Sequence, residues 1–275
     1  GDFDRALALK ENVRRKMDEQ FNFVTYMQSL AFSAWSYSYT GRWDEAVEDG
    51  QKALSAAEEF SDNSLISLAA LPILTAYVLK GDVHRGIEYG ELAVEKAPTP
   101  FDKALTHLFL GWAWCRAGEP SKGIDAMASA DQIARTGGNI PFNIITLWYL
   151  ADGYRLAGQY DKSRQTGKEL LELTEHCGSR PFQGISHLLT GEIAVKTNPD
   201  QAEAWLRQSI SIFRETKMEN FLALAYAGYG RLHKLQGNVE QAREYLTKAL
   251  EILERLGTLI EPEKVREELA GLSGC

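Results

Sequence analysis

Seven turn motifs recur at nearly constant spacing along the 275 residues, and they constrain the fold more than any other feature. Each motif has a turn residue, usually glycine, followed five positions later by a small residue. Glycine ends a helix at low steric cost because it accepts a left-handed backbone, and Asp, Asn or Pro suits the start of the next helix. Neighbouring motifs lie 37 to 40 residues apart, beginning at Gly1, Gly41, Gly81, Gly118, Gly158, Thr197 and Gly237.

The segments between the turns have the periodicity of amphipathic helices. In residues 239–256, apolar side chains follow one another at spacings of three and four. At the Thr197 turn, which lacks glycine, we predict that Asn198 takes the left-handed conformation. We predict an opening helix at 2–17, six helical hairpins and a capping helix at 262–271. The first helices are predicted at 21–39, 64–79, 100–117, 140–157, 182–196 and 219–236, and the second helices at 43–59, 83–97, 120–135, 160–177, 199–215 and 239–256.

The residues around the last turn carry a family pattern. The spacing of Tyr226, Tyr229, Gly230 and His233, followed by Gly237, Ala242, Leu246 and Ala249, resembles the tetratricopeptide repeat (TPR) superfamily. The spacing of Leu110, Gly111 and Trp114 fits the same pattern. The family period is about 34 residues, and the longer period here resembles the repeat regions of bacterial MalT-like regulators and signalling ATPase or cyclase proteins.

This resemblance implies an all-α, right-handed α-solenoid that forms a single superhelical domain over residues 1–275. It also implies a concave groove, lined by the first helix of each hairpin, that holds a peptide, a protein or a small ligand. One known subtype binds chaperone tails through a Lys and an Asn on its first helix. Ala31 and Trp35 stand at those positions here, so we do not expect that carboxylate clamp.

Counting back from each turn places aromatic and charged residues on the side of the first helices that should face this groove. Aromatic anchors beside charged groups are typical of protein-recognition hot spots. The alternative is that the tryptophans pack between repeats and the charges lie on solvated faces. The predicted partner-binding residues are Trp35, Tyr39, Trp112, Arg116, Trp148, Asp152, Arg155, Glu192, Arg231 and Lys234.

Charge and composition exclude several classes of function. A net charge of −8 argues against a general nucleic-acid surface, which needs clustered Lys and Arg. The sequence has no run of 18 apolar residues and no leader pattern, so we expect neither a membrane span nor a signal peptide. Three widely spaced cysteines do not suggest a disulfide framework, and we expect a cytoplasmic protein.

The sequence contains no pattern typical of catalysis. The five histidines form no zinc motif, and no glycine-rich loop precedes a phosphate-binding lysine. We expect acidic pairs such as Glu267 and Glu268 to lie on solvated helix faces. The prediction is therefore a protein that is not an enzyme and uses no cofactor or metal.

Three functions remain open. The leading hypothesis is a protein-interaction scaffold, cut from a larger regulatory or signalling protein, because Gly1 begins at an inter-helix turn. On this reading the N-terminal edge lacks a cap and is expected to self-associate. The second hypothesis is a sensor in which a sugar or metabolite stacks on Trp112 or Trp148. The third is a structural spacer or oligomerisation arm.

Overall fold

The computed structural model describes residues 3–5, 7–8 and 23–272. The ordered elements in residues 23–272 are all helices, and their bounds agree with the predicted hairpins to within a few residues. The predicted opening helix at 2–17 and the N-terminal edge lie largely outside the described residues. The helices are α1 (Phe23–Thr40), α2 (Trp43–Glu59), α3 (Asn63–Lys80), α4 (Val83–Lys96), α5 (Pro100–Arg116), α6 (Pro120–Gly137), α7 (Ile140–Leu156), α8 (Tyr160–His176), α9 (Arg180–Thr197), α10 (Pro199–Glu215), α11 (Glu219–Leu235), α12 (Val239–Leu256) and α13 (Glu261–Ala270).

Local chemistry at the helix ends explains the boundaries. The predicted turn glycines, from Gly41 to Gly237, have the positive φ that ends a helix with little strain. Asp62 caps α3 by accepting hydrogen bonds from the backbone N–H groups of Ser64 and Leu65. The prediction for Asn198 was wrong: its φ of −156° is extended, and it joins α9 to α10 without a left-handed residue.

The described helices divide into two compact units, α1–α6 and α7–α13. Within each unit, the two helices of a hairpin pack together, and each second helix also packs on the first helix of the next hairpin. The first helices also contact one another, α1 with α3 and α3 with α5 in one unit, and α7 with α9 and α9 with α11 in the other. We call the side of each unit formed by α1, α3 and α5, or by α7, α9, α11 and α13, its first-helix face.

The small residues after the turns allow the two helices of each hairpin to approach closely. Ala46, Ala202 and Ala242 are completely buried. In the α5–α6 hairpin the approach is between glycines: a Cβ added to Gly111 would lie 2.6 Å from the carbonyl oxygen of Gly123. This hairpin is therefore held by backbone contact at a point where no side chain fits.

Helix α3 is apolar enough to be mistaken for a membrane span. Among the described residues, it is the one helix long and apolar enough to cross a membrane, by length and composition only. In the structure 67% of that stretch is buried. It contains Pro72, which is itself buried, and most of its length from Ile66 to Leu79 packs inside the first unit.

Candidate functional site

Charged side chains form a continuous row across the first-helix face of the second unit. Arg155 of α7 lies between two carboxylates, with its Nη2 2.6 Å from Asp152 Oδ1 and its Nη1 3.3 Å from Glu192 Oε2. Glu192 of α9 also faces Arg231 of α11, at 3.9 Å between Oε1 and Nη1. Arg231 Nε in turn donates to Glu268 Oε1 of α13 at 2.8 Å. The charges alternate in sign along the whole row, so each guanidinium lies between two carboxylates.

Burial and the alternation together set the electrostatics of the row. Burial alone would lower the pKa of Arg155, but the neighbouring Glu192 and Asp152 carboxylates raise it above its usual range. The pKa of Arg231 is raised in the same way, against the effect of burial, by Glu268 and Glu192. Both guanidinium groups are therefore charged throughout the physiological pH range, and the row is a fixed array of charges.

This row forms one wall of a cavity of about 310 Å³ within the second unit. We call it the charged cleft. Its charged wall consists of Arg155, Glu192, Arg231 and Glu268. The remaining lining residues are Tyr160, Val195, Lys196 and Gly228. Gly228 of α11 lies close to Glu192, since a Cβ added to Gly228 would be 3.9 Å from Glu192 Cγ.

The structure places three of the four predicted aromatic residues in the core. Trp112 is 1% exposed and Trp148 is 3% exposed. Trp148 packs against Phe182 of α9 and Phe221 of α11, with ring centroids 5.7 and 5.9 Å apart. Tyr39 is also buried, and burial raises the pKa of its hydroxyl. Trp148 thus packs between repeats, as the alternative prediction for the tryptophans has it, and all three buried side chains present little surface to a partner.

Trp35 is the predicted aromatic residue that stays partly exposed. Its indole N–H donates to Thr75 Oγ1 of α3 at 3.3 Å, and its ring packs near Phe109 of α5. Phe32, one turn earlier on α1, lies beside it with ring centroids 5.8 Å apart and is 63% exposed. We call these two residues the Phe32–Trp35 patch. It lies on the first-helix face of the first unit.

The other predicted residues divide in the same way. Asp152, Arg155, Glu192 and Arg231 come together in the charged row. Arg116 is half-buried at the end of α5, and Lys234 is exposed at the end of α11. Neither of these two lines the charged cleft.

Sequence reasoning missed part of the cleft. Glu268 was predicted to lie on a solvated face, and this was wrong, because α13 packs on α12 and directs Glu268 to Arg231. Lys196 and Tyr160 were not considered; the Lys196 Nζ lies 3.5 Å from the Tyr160 hydroxyl. Glu268 could have been predicted from the repeat order, because the capping helix α13 follows the last hairpin in the position of a further first helix.

A second, more open groove of about 1020 Å³ lies in the first unit. Its floor is the exposed side of α2, from Asp44 to Glu59, and Tyr26, Tyr77 and Arg85 form its sides. Acidic and basic side chains are both present there, including Lys80 3.8 Å from Asp44. This groove is formed mainly by a second helix and contains none of the predicted site residues.

Within residues 3–5, 7–8 and 23–272, no group of three or more His, Cys, Asp or Glu side chains is arranged to hold a metal ion. Two carboxylates, Glu192 and Glu268, line the charged cleft, and each lies beside a guanidinium group. The charged side chains of the cleft can form hydrogen bonds with a bound molecule and orient it.

The geometry defines a helical-repeat protein with polar and aromatic features on its first-helix faces. Residues 198–255 match the tetratricopeptide repeat family, which is the segment whose turn pattern carried the resemblance. The predicted TPR-type fold is thus confirmed, whereas the single-domain and MalT-like assignments stay predictions. No curated protein matches the chain.

Two solved structures share this architecture over nearly their whole length. The crystal structure of the apo form of RapI has a TM-score of 0.63 and 13% sequence identity, with 93% of each chain covered. The crystal structure of a tetratricopeptide repeat protein from Parabacteroides merdae ATCC 43184 has a TM-score of 0.57 and 14% identity, covering 98% of this chain and 92% of the other. At 13% and 14% sequence identity, the similarity shows a shared fold alone.

Proposed function

We propose that this chain is a non-enzymatic, cytoplasmic interaction module that binds a protein or peptide partner through the first-helix face of its first unit. TPR-type repeats are generally protein-interaction scaffolds. The proposal specifies which surface of this chain binds the partner. The single observation that supports it is the Phe32–Trp35 patch. Phe32, with 63% of its surface exposed, and the partly exposed Trp35 form adjoining apolar surface, and contiguous apolar surface marks interaction sites more than a single exposed side chain does.

The Phe32–Trp35 patch is aromatic, and its Trp35 ring is held in place by neighbouring side chains; both properties favour partner binding. Trp is among the residues most enriched at interface hot spots, where a rigid aromatic surface is buried at low entropic cost. The Trp35 ring is held by its hydrogen bond to Thr75 and by Phe109, so little freedom remains to be lost on binding. Phe32 can then lose most of its exposed area against a partner.

The experiment compares two exposed phenylalanines. Phe60, at the end of α2, is 57% exposed and lies off the first-helix face, so Phe60→Asp is a matched control for Phe32→Asp. A photo-crosslinking amino acid is placed at position 32 or 60 of the full chain and irradiated in lysate of the source cells. We expect a discrete crosslinked protein from position 32 alone.

Binding of that protein to the purified chain is then measured by isothermal titration calorimetry. We expect Phe32→Asp to weaken the affinity by about tenfold or more, as for an interface hot spot, and Phe60→Asp to leave it unchanged. Equal crosslinking from both positions, or equal affinities of the two variants, would contradict the proposal and favour a spacer role.

A further inference from the structure

We propose that the charged cleft of the second unit is a binding site for a small, neutral, polyhydroxylated molecule of the sugar or polyol class. This inference concerns α7–α13 alone and does not depend on the proposed partner surface. It also differs from the earlier hypothesis of a sugar stacked on Trp112 or Trp148, since both indoles are buried.

The first argument is that the four charges of the cleft wall (Arg155, Glu192, Arg231 and Glu268) balance one another, while Lys196 lies at the rim over the Tyr160 ring. Arg155 and Arg231 each have two carboxylates within 4 Å, and Glu192 contacts both guanidinium groups. A charged ligand would have to replace one of these ion pairs and leave a half-buried group without its counter-charge, which is costly. A neutral ligand can bind while every pair stays intact.

The second argument is that the same groups have hydrogen-bonding capacity left over. Among the described residues, Arg231 donates one hydrogen bond, through Nε to Glu268, which leaves its Nη protons without an acceptor at hydrogen-bond distance. Glu192 receives ion-pair contacts at 3.3 and 3.9 Å and no hydrogen bond from residues within the described part of the chain. The Glu268 Oε2 atom receives no hydrogen bond from the described residues, but it is buried, so Glu192 supplies the acceptors that face the cleft.

Free donors on Arg231 and free acceptors on Glu192 thus lie side by side along one wall. A hydroxyl group both donates and accepts, so a row of hydroxyls can satisfy Arg and Glu in turn. Hydrogen bonds to charged groups are also stronger than hydrogen bonds between neutral groups. A polyol therefore matches the wall better than a ligand that offers donors alone or acceptors alone.

The third argument concerns size and the remaining walls. A cavity of about 310 Å³ lies at the lower end of the roughly 300–1,000 Å³ typical of ligand pockets. It holds roughly ten molecules of water at their bulk volume, which is enough for a molecule of sugar size. Val195 and the Tyr160 ring supply an apolar surface for the C–H faces of a sugar, and Lys196 lies at the rim beside that ring.

The test uses the full chain and three classes of probe. Neutral monosaccharides, disaccharides and linear polyols are screened by thermal shift, alongside free amino acids as zwitterions and inorganic phosphate as an anion. Hits are measured by isothermal titration calorimetry. We expect saturable binding by at least one neutral polyhydroxy compound and none by the amino acids or phosphate.

Two substitutions locate the site. Lys196→Ala removes an exposed rim donor, and Lys162→Ala is its matched control, because Lys162 lies over the Tyr154 ring as Lys196 lies over the Tyr160 ring. Glu268→Gln removes the carboxylate of the buried acceptor and keeps the size of the side chain. We expect Lys196→Ala and Glu268→Gln each to weaken the dissociation constant about tenfold, and Lys162→Ala to leave it unchanged.

Three results would overturn the inference. The first is that no neutral compound binds, and the second is that amino acids or phosphate bind in their place. The third is a polyol whose affinity is the same in Lys196→Ala as in the wild type, which would place its site outside the cleft. Lys196 is exposed, so its variant is expected to fold and to give a result even where Glu268→Gln loosens α13.

Discussion

Alanine at position 111 should destabilise the α5–α6 hairpin through a clash with backbone. The added Cβ would lie 2.6 Å from the Gly123 carbonyl oxygen and 2.8 Å from Met127 Cγ, whereas real Cβ contacts essentially never fall below 3.0 Å. The carbonyl belongs to a helix packed along its whole length, so it cannot swing away as a flexible side chain would. Either α5 and α6 move apart, or the backbone at position 111 is distorted.

The magnitude follows from two opposing effects. Overpacking a well-filled interior costs about 1–3 kcal/mol, and we take about 3 kcal/mol because the opposing atom is backbone. Replacing glycine by alanine inside a helix returns about 1 kcal/mol. The net loss in the free energy of unfolding is then about 2 kcal/mol, or about 4–8 °C in melting temperature for a unit of this size.

A second glycine provides the control. Gly167 also lies inside a helix, but a Cβ added there would meet only Thr190 Oγ1, at 3.8 Å. Gly167→Ala should therefore stabilise the protein by about 1 kcal/mol through helix propensity alone. Urea denaturation followed by far-ultraviolet circular dichroism measures both variants. The reasoning fails if Gly111→Ala is as stable as the wild type, or if the two variants shift in the same direction.

Three further predictions concern charge, pH and capping. Arg155→Met removes the guanidinium that Asp152 and Glu192 share, and it should lower the free energy of unfolding by about 3 kcal/mol. The control, Arg164→Ala, breaks an exposed ion pair with Asp161 and should change the free energy of unfolding by about 0.5 kcal/mol or less. Equal urea midpoints for the two variants would contradict this prediction. Burial, and to a lesser extent Arg180, lowers the pKa of His187, so the folded state binds fewer protons than the unfolded one, and stability should fall as the pH drops below about 6.5 towards the lower folded pKa. Denaturant midpoints measured across that range should vary less in His187→Phe than in the wild type, and an unchanged slope would refute the assignment. Asp62→Ala removes the cap that accepts from Ser64 and Leu65 and should cost about 1 kcal/mol in thermal or chemical unfolding, with Asp62→Asn recovering most of it.

The sequence predicts the helical hairpins well because their signals are local. A glycine with positive φ, a capping residue and a three-four apolar spacing each act within one turn of the chain, as at Gly81 and Asp62. These signals place the helices to within a few residues. Counting back from the turns also placed four residues of the charged row in the predicted groove: Asp152, Arg155, Glu192 and Arg231.

The exposure of individual side chains was harder to predict because it depends on contacts between helices. First helices such as α7 are apolar nearly all round, so periodicity does not distinguish a groove-facing tryptophan from one packed between repeats. Trp148 therefore looks like Trp35 in the sequence although its neighbours bury it. Glu268 was missed for a related reason, since its partner Arg231 lies 37 residues away.

The alternating charges have a consequence for how such an array can change in length. The row takes Asp152 and Arg155 from α7, Glu192 from α9, Arg231 from α11 and Glu268 from α13. Loss of the α9–α10 hairpin would remove the carboxylate that lies between the two arginines, and loss of the α11–α12 hairpin would remove the guanidinium that lies between Glu192 and Glu268. Each repeat contacts its neighbours, so either loss would leave half-buried charges without a counter-charge, which is costly. The row therefore ties the stability of the second unit to the number and order of its repeats.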